Sequence, residues 1–281
     1  MSSLYRTSSV HTHTTWCDGK NTPAEMAAAA LDCGLRTLGF SGHIYTPADT
    51  SYCMSPEGTE EYRRQALELR REYAGRLDIL VGVEYDPLAG LTLPEGWDYV
   101  IGSVHALQGP ENGKLYPVDL STQALAACIQ DGFGGDVWGM IRAYYSQVVQ
   151  VAALRPTILG HFDLIVKTNR DGCLFDESSP VYRSIALEAL DACLEQGVCL
   201  EMNTGGVWRG WRQEAYPDDF LLRRIAEKKG DVTITADAHE TAALAFGYTR
   251  CAQRARQAGL DRVLVLQAGG FVPCGLEDLP L

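Results

Sequence analysis

Residues 8–19 read SSVHTHTTWCDG, and the logic of the whole chain is contained in them. Successive side chains of a β-strand point to opposite faces, so His11 and His13, at i and i+2, share one face. Two adjacent imidazoles make half of a metal site, and Asp18 follows after a short loop. Related endings recur downstream: SGH at 41–43, GVEYD at 82–86, GSVH at 102–105, LGHFD at 159–163 and TADAH at 235–239. Most follow a short apolar or β-branched run (TLGF, DILVGV, DYVIGS, TILG, DVTIT) bounded by Gly or polar residues, the composition of a buried strand. All six histidines, His11, His13, His43, His105, His161 and His239, thus fall where a strand runs out into a loop. Asp237 and His239 repeat the i, i+2 spacing of the first pair on a second strand.

Helical patterns separate these strands. PAEMAAAALDCG (23–34) has Thr22 as N-cap, Pro23 at the first position and Gly34 at the end. SPEGTEEYRRQALELRREYAG (55–75) is strongly amphipathic, and helices are also expected within 121–132, 137–154, 179–197, 218–230 and 240–259. VCLEMNTGG (198–206) reads as a strand and RVLVLQ (262–267) as the closing one, while QGPENGKLYPVD (108–119) reads as loop. Strands alternating with helices predict parallel pairing through right-handed crossovers. Seven or eight strands suggest a barrel, whose catalytic groups gather at the C-terminal strand ends. The structural alternative is an open doubly wound sheet.

With 281 residues and no Ser/Pro/Gly-rich linker, the expectation is one α/β domain over 1–281, with a mostly helical insertion at about 108–154. A net charge of -12 argues against a nucleic-acid partner, which needs a clustered basic surface. A small-molecule substrate is expected. Nine cysteines, odd in number and without a C-x-x-C pair, argue against a disulfide framework or a thiolate zinc cluster. Most read as small buried apolar residues, and Cys17 alone lies beside the site. MSSLYRTSS has no apolar leader segment and no run has membrane length, so a reducing cytoplasm is the expected compartment, without membrane association.

H-T-H-T-x-x-x-D-G, S-G-H, G-V-E, G-S-V-H, G-H-F-D-L-I and A-D-A-H, in this order over nearly the whole chain, resemble the PHP superfamily (polymerase and histidinol phosphatase) and, more narrowly, its monofunctional histidinol-phosphate phosphatase branch. The resemblance implies a distorted (β/α)7 TIM-like barrel with a trinuclear metal centre at the C-terminal face of the strands. Carried onto this chain, it implies one metal held by His11, His13, Glu84 and Asp237, a second by Glu84, His105 and His161, and a third by Asp18, His43 and His239. It further implies hydrolysis of L-histidinol phosphate to L-histidinol and phosphate, a step of histidine biosynthesis.

The residue chemistry leads the same way. Imidazole and carboxylate without thiolate suit divalent zinc, manganese or iron, without choosing among them; the number of three ions is what the resemblance implies. Cations at close range need anionic charge between them, which Glu84 can supply; buried alone, that carboxylate would cost several kcal/mol. Metal binding lowers the pKa of water to about 7, giving a bridging hydroxide for in-line attack on phosphorus without a covalent enzyme intermediate. Glu84, Asp237 and His239 are the expected catalytic residues. Arg209, Lys167 and Arg212 are the candidates for binding phosphate, Arg209 foremost because a guanidinium matches phosphate oxygens bidentately. Asp163, Glu214, Tyr45, Tyr116 and Trp208 are the unranked candidates for the rest of the substrate. Competing readings are a phosphoesterase of the same metal chemistry acting on another monoester or diester, and a non-catalytic metal-binding module.

Overall fold

A computed structural model describes residues 8–90 and 92–276; the N-terminal stretch MSSLYRTSS, from which no leader was expected, lies almost wholly outside the described residues. The fold is α/β. Strands β1 (Ser8–Ser9), β2 (Thr37–Phe40) and β3 (Asp78–Val81) form a parallel sheet in register Ser8↔Thr37 and Thr37↔Asp78. A second sheet contains β4 (Val83–Tyr85), β5 (Val100–Gly102), β8 (Ile158–Leu159), β9 (Cys199–Asn203), β10 (Val232–Thr235), β11 (Arg262–Gln267) and β12 (Gly270–Gly275). Its order is β12-β11-β10-β9-β8-β5-β4, and every pair is parallel except β11 with β12. Two single parallel bridges lie between the sheets, Thr12↔Ala238 and His43↔Glu84.

Helix α1 (Pro23–Asp32) starts where the capping signals place it. The Thr22 side chain accepts from the Glu25 backbone N–H, and the Glu25 carboxylate accepts from the Thr22 N–H. Gly34 ends the segment at φ +76°, a conformation costly to any residue with a Cβ. Helix α2 (Pro56–Glu72) turns Tyr62, Ala66 and Leu69 inward. The outer layer continues with α5 (Pro180–Glu195), α7 (Asp219–Glu227) and α8 (Tyr248–Gln257). Tyr99 closes the interior beneath the strand ends. Its hydroxyl lies 2.7 Å from the Val10 carbonyl and 2.9 Å from that of Phe40. Its ring occupies the space left by Gly39 and Gly82; a Cβ at Gly82 would meet the ring at 2.5 Å.

Three segments depart from the expectation. Residues 108–119 are not plain loop: β6 (Ala106–Gln108) and β7 (Leu115–Pro117) pair as an antiparallel hairpin whose arms are too short to show a period in sequence. α3 (Thr122–Ala127), a π turn at Cys128–Gly132 and α4 (Val137–Ala153) follow; α4 packs on α5 and buries Tyr144, Tyr145, Val148 and Val151. The helix expected over 240–259 begins only at Tyr248, because Gly247 adopts φ +74° and interrupts the ladder. RVLVLQ does not close the chain's β-structure, since it folds back on β12.

Candidate metal centre

The strand ends converge. The His13 N–H donates to the Ala238 carbonyl at 2.8 Å and the Ala238 N–H to the His11 carbonyl at 2.9 Å, so the two i, i+2 pairs stand on neighbouring chain segments. The His11 and His13 ring centres are 5.2 Å apart, and those of His13 and His239 are 4.1 Å apart. Asp237 has φ +47°, a left-handed conformation that a short polar residue tolerates and that costs backbone energy, as expected where a side chain is aimed for function.

Glu84 is the hub. Its Oε2 lies 3.2 Å from His11 Nε2, 3.4 Å from His13 Nε2 and 3.2 Å from His43 Nδ1. Its Oε1 lies 3.4 Å from His105 Nε2 and 3.0 Å from His161 Nε2. Asp237 Oδ1 approaches His13 Nε2 and His239 Nδ1, both at 3.4 Å, while Asp18 reaches His13 Nδ1 at 3.4 Å and His239 Nε2 at 3.1 Å. All nine residues expected as ligands therefore meet in one place. Burial opposes the charge of Glu84, but His11, His43 and His105 outweigh it and hold the carboxyl well below its usual range. Burial likewise opposes a proton on His11, yet Glu201, Glu84 and Asp237 raise it to about 10. His43 is pushed down to about 3 by burial and by its neighbours His13 and His105.

This donor set fits divalent cations. Nε2 of His11 and of His13 is buried and has no hydrogen-bond partner, although carboxylate oxygens face both. Two buried ring nitrogens without hydrogen bonds are the unmet feature that a cation would satisfy, displacing any proton they carry. Ligand atoms fall into three overlapping sets, each within 4.8 Å: His13, Asp18, His43 and His239; His11, His13 and Asp237; and His43, Glu84 and His105. His13 and His43 each belong to two sets, an overlap that the assignment by resemblance did not contain.

The expected phosphate residues separate. Arg209 Nη2 donates to Asp237 Oδ2 at 2.8 Å, Nη1 lies 2.9 Å from His239 Nδ1, and Nε has no partner. Lys167 Nζ binds Asp119 Oδ2 at 2.8 Å, and both line a hollow shared with His105, His161 and Arg209. Arg212 is directed elsewhere: it grips Glu177 at 2.8 Å and the Val166 carbonyl at 3.1 Å, beside a different hollow containing Arg170 and Trp211. Its sequence position, three residues past Arg209, did not reveal that Glu177 claims its guanidinium. The unranked substrate candidates are mostly engaged by other partners. Glu214 pairs with Arg250, Trp208 Nε1 donates to Glu240 at 2.9 Å, and the Tyr116 hydroxyl accepts from Asn112 Nδ2 at 2.8 Å. Asp163 is buried and raised to about 7 by that burial, with the Asp218 N–H donating to it at 3.0 Å. A cleft of about 320 Å³ beside the centre is lined instead by Asp49, Tyr52, Asp119 and Trp211, which the sequence reading did not single out. Cys17 Sγ sits 3.6 Å from His13 Nδ1. Glu201 and Asp86 were also missed: His11 Nδ1 lies 2.5 Å from Glu201 Oε1, and His105 Nδ1 lies 3.2 Å from Asp86 Oδ2. The available signal for Glu201 was a carboxylate and an amide, Glu201 and Asn203, at i, i+2 inside an apolar strand.

Parallel strand ends carrying imidazoles and carboxylates around one buried carboxylate define a metal-binding α/β protein. The chain belongs to the PHP domain family, whose signature matches residues 9–205. It is 34% identical over 263 residues to a Deinococcus radiodurans protein described as "Probable histidinol-phosphatase", covering 89% of this chain and 92% of that one. It is 26% identical over 270 residues to the histidinol-phosphatase of Bacillus subtilis, covering 87% of this chain and 97% of the relative. Among solved structures it is similar in fold to histidinol phosphate phosphatase from Lactococcus lactis subsp. lactis, complexed with Zn, L-histidinol and phosphate, with a TM-score of 0.66 at 17% identity. That match covers 95% of this chain and 99% of the other. Among the described residues no helix is long and apolar enough to cross a membrane.

Proposed function

We propose that this chain is a metal-dependent phosphomonoester hydrolase that converts L-histidinol phosphate to L-histidinol and phosphate. The observation that carries the reading is Glu84: one buried carboxylate ringed by five imidazoles, with Arg209 and Lys167 lining the same hollow. The relatives named histidinol-phosphatase, matched over nearly their full length, support the substrate.

Three divalent ions are proposed, held by His11, His13, Asp18, His43, Glu84, His105, His161, Asp237 and His239; the three overlapping ligand sets support that number. When bound, such ions polarise phosphoryl oxygens and make a water acidic enough to serve as nucleophile near neutral pH. The protein supplies the rest. Glu84 and Asp237 place anionic charge among neutral imidazole donors, which would offset the mutual repulsion of closely spaced cations. Arg209 keeps one edge on Asp237 and lines the hollow as a cationic donor for a phosphoryl oxygen, and Lys167, steadied by Asp119, adds a second. His239 stands between Asp18 and Arg209, where it can orient the ester. The adjoining cleft, with Asp49 and Tyr52 on its wall, offers acidic and aromatic partners for the ammonium and imidazole of histidinol.

For the scaffold we propose a distorted (β/α)7 ring, in which 78–85 acts as one strand through Gly82 and the bridges Thr12↔Ala238 and His43↔Glu84 join the two sheets. The whole chain is proposed to be one domain, with 108–154 packed on it as an insertion. Nine cysteines in no disulfide suit a reducing cytoplasm. Elemental analysis of the purified protein, with turnover of L-histidinol phosphate and a panel of other monoesters and diesters before and after chelation, tests the proposal. Retained metal without hydrolysis of L-histidinol phosphate would overturn it.

A further inference from the structure

Glu201, on β9, stands behind the ring of nine. It is fully buried, and its oxygens are saturated. Oε1 receives His11 Nδ1 at 2.5 Å and the Thr235 hydroxyl; Oε2 receives the His161 backbone N–H at 2.8 Å and Asn203 Nδ2 at 2.9 Å. Four donors leave this carboxylate no free direction toward a cation, so it is not a ligand itself. Its donors come nevertheless from the segments that carry ligands: His11, His161, and Thr235 two residues before Asp237.

We infer that Glu201 is a positioning residue that holds His11 with its proton on Nδ1, so that the Nε2 lone pair faces a cation shared with His13 and Asp237. This rests on the metal-dependent reading above. A neutral imidazole carries one proton, and the partner of one nitrogen decides which nitrogen is left to bind metal. Here one nitrogen meets a saturated carboxylate, and the other is buried, has no hydrogen-bond partner, and lies 3.2 Å from Glu84 and 3.7 Å from Asp237. A flipped ring would turn a carbon toward Glu201 and leave one of its four donors unreplaced. Asp86 stands in the same relation to His105, with Oδ2 at 3.2 Å from Nδ1. It lies on the segment following Glu84 itself, whereas Glu201 joins three other strand ends.

The test uses zinc-loaded protein labelled with 15N in histidine, with His11 assigned from the signal lost in His11→Asn. Long-range proton–nitrogen correlations should show His11 protonated at Nδ1 and not at Nε2; a proton on Nε2 overturns the inference, and this measurement needs no variant of Glu201. In parallel, folded Glu201→Gln should release one zinc per chain roughly 10- to 100-fold more readily to a competing chelator, the remaining zinc staying in place. Glu201→Asp, which keeps the charge, should recover part of that loss. Unchanged retention of every zinc in folded Glu201→Gln overturns the inference as well. Both readouts are blind to the substrate. A wild-type protein inactive on L-histidinol phosphate would refute the proposed function while leaving the His11 result to stand or fall alone.

Discussion

Replacing Arg209 with Met separates two duties that the structure assigns to one side chain. Met fills most of the volume of the aliphatic stem, so packing changes little and the guanidinium is what is lost. One edge of that guanidinium holds Asp237 Oδ2 at 2.8 Å, and the side chain lines the hollow beside His105, His161 and Lys167. A hydrogen bond to a charged group is worth about 1.5–3 kcal/mol, so losing one good contact to phosphate should lower kcat/KM roughly 13- to 160-fold. Most of this should appear in KM if the contact is made equally to bound substrate and transition state. Loss of the Asp237 contact is a separate effect. It should weaken metal retention, because a ligating carboxylate loses its orienting donor. The assay is steady-state turnover of L-histidinol phosphate with metal content measured on the same samples, with and without added zinc. Added zinc should restore only the part caused by lost metal. A kcat/KM within about twofold of wild type at equal metal content would remove Arg209 from phosphate binding.

Glu84→Gln removes the anion that five imidazoles surround; metal content should fall and turnover should drop to background, and a fully loaded, active variant would refute the hub role. The apparent affinity for zinc should rise with pH. In the metal-free protein the His11 proton is held up to about 10 against an ordinary value of 6.5, so its stabilisation is complete below 6.5 and lost as pH rises through 10. Zinc must displace that proton, so titration near neutral pH should release protons into weak buffer, and a pH-independent affinity would contradict the geometry. Chelation should lower the thermal midpoint and zinc should restore it, each bound ion adding about 2.7 kcal/mol of stability at a hundredfold excess over its dissociation constant. Tyr145→Phe leaves the buried Tyr182 hydroxyl without its partner at 3.0 Å and should cost about 1–3 kcal/mol in denaturant unfolding with activity retained.

The convergence of the nine expected ligands was legible because strand geometry is written locally. His11 with His13 and Asp237 with His239 declare a shared face through spacing alone, and the apolar runs before them declare burial. Glu201 was hidden because its significance is not local. Within VCLEMN it shares the strand with one other polar residue, Asn203, which gives one of its four donors, and the other three come only from the β1, β8 and β10 segments folding around it. The pairing of Arg212 was hidden for the same reason, since Glu177 reaches it from a distant loop. The break at Gly247 and the return of β12 depend on single turns, and hydrophobic period is insensitive to these.

Tyr99 joins three positions that sequence keeps far apart. It needs bare backbone at Gly39 and Gly82, and its hydroxyl meets the carbonyl of Val10, immediately ahead of His11. A methyl group gained at either glycine would have to be matched by a smaller residue at 99, and that smaller residue would surrender the polar tether beneath the first metal-binding imidazole. The trio can therefore be inherited only as a unit, and tinkering at the underside of the fold would reach the cations through it.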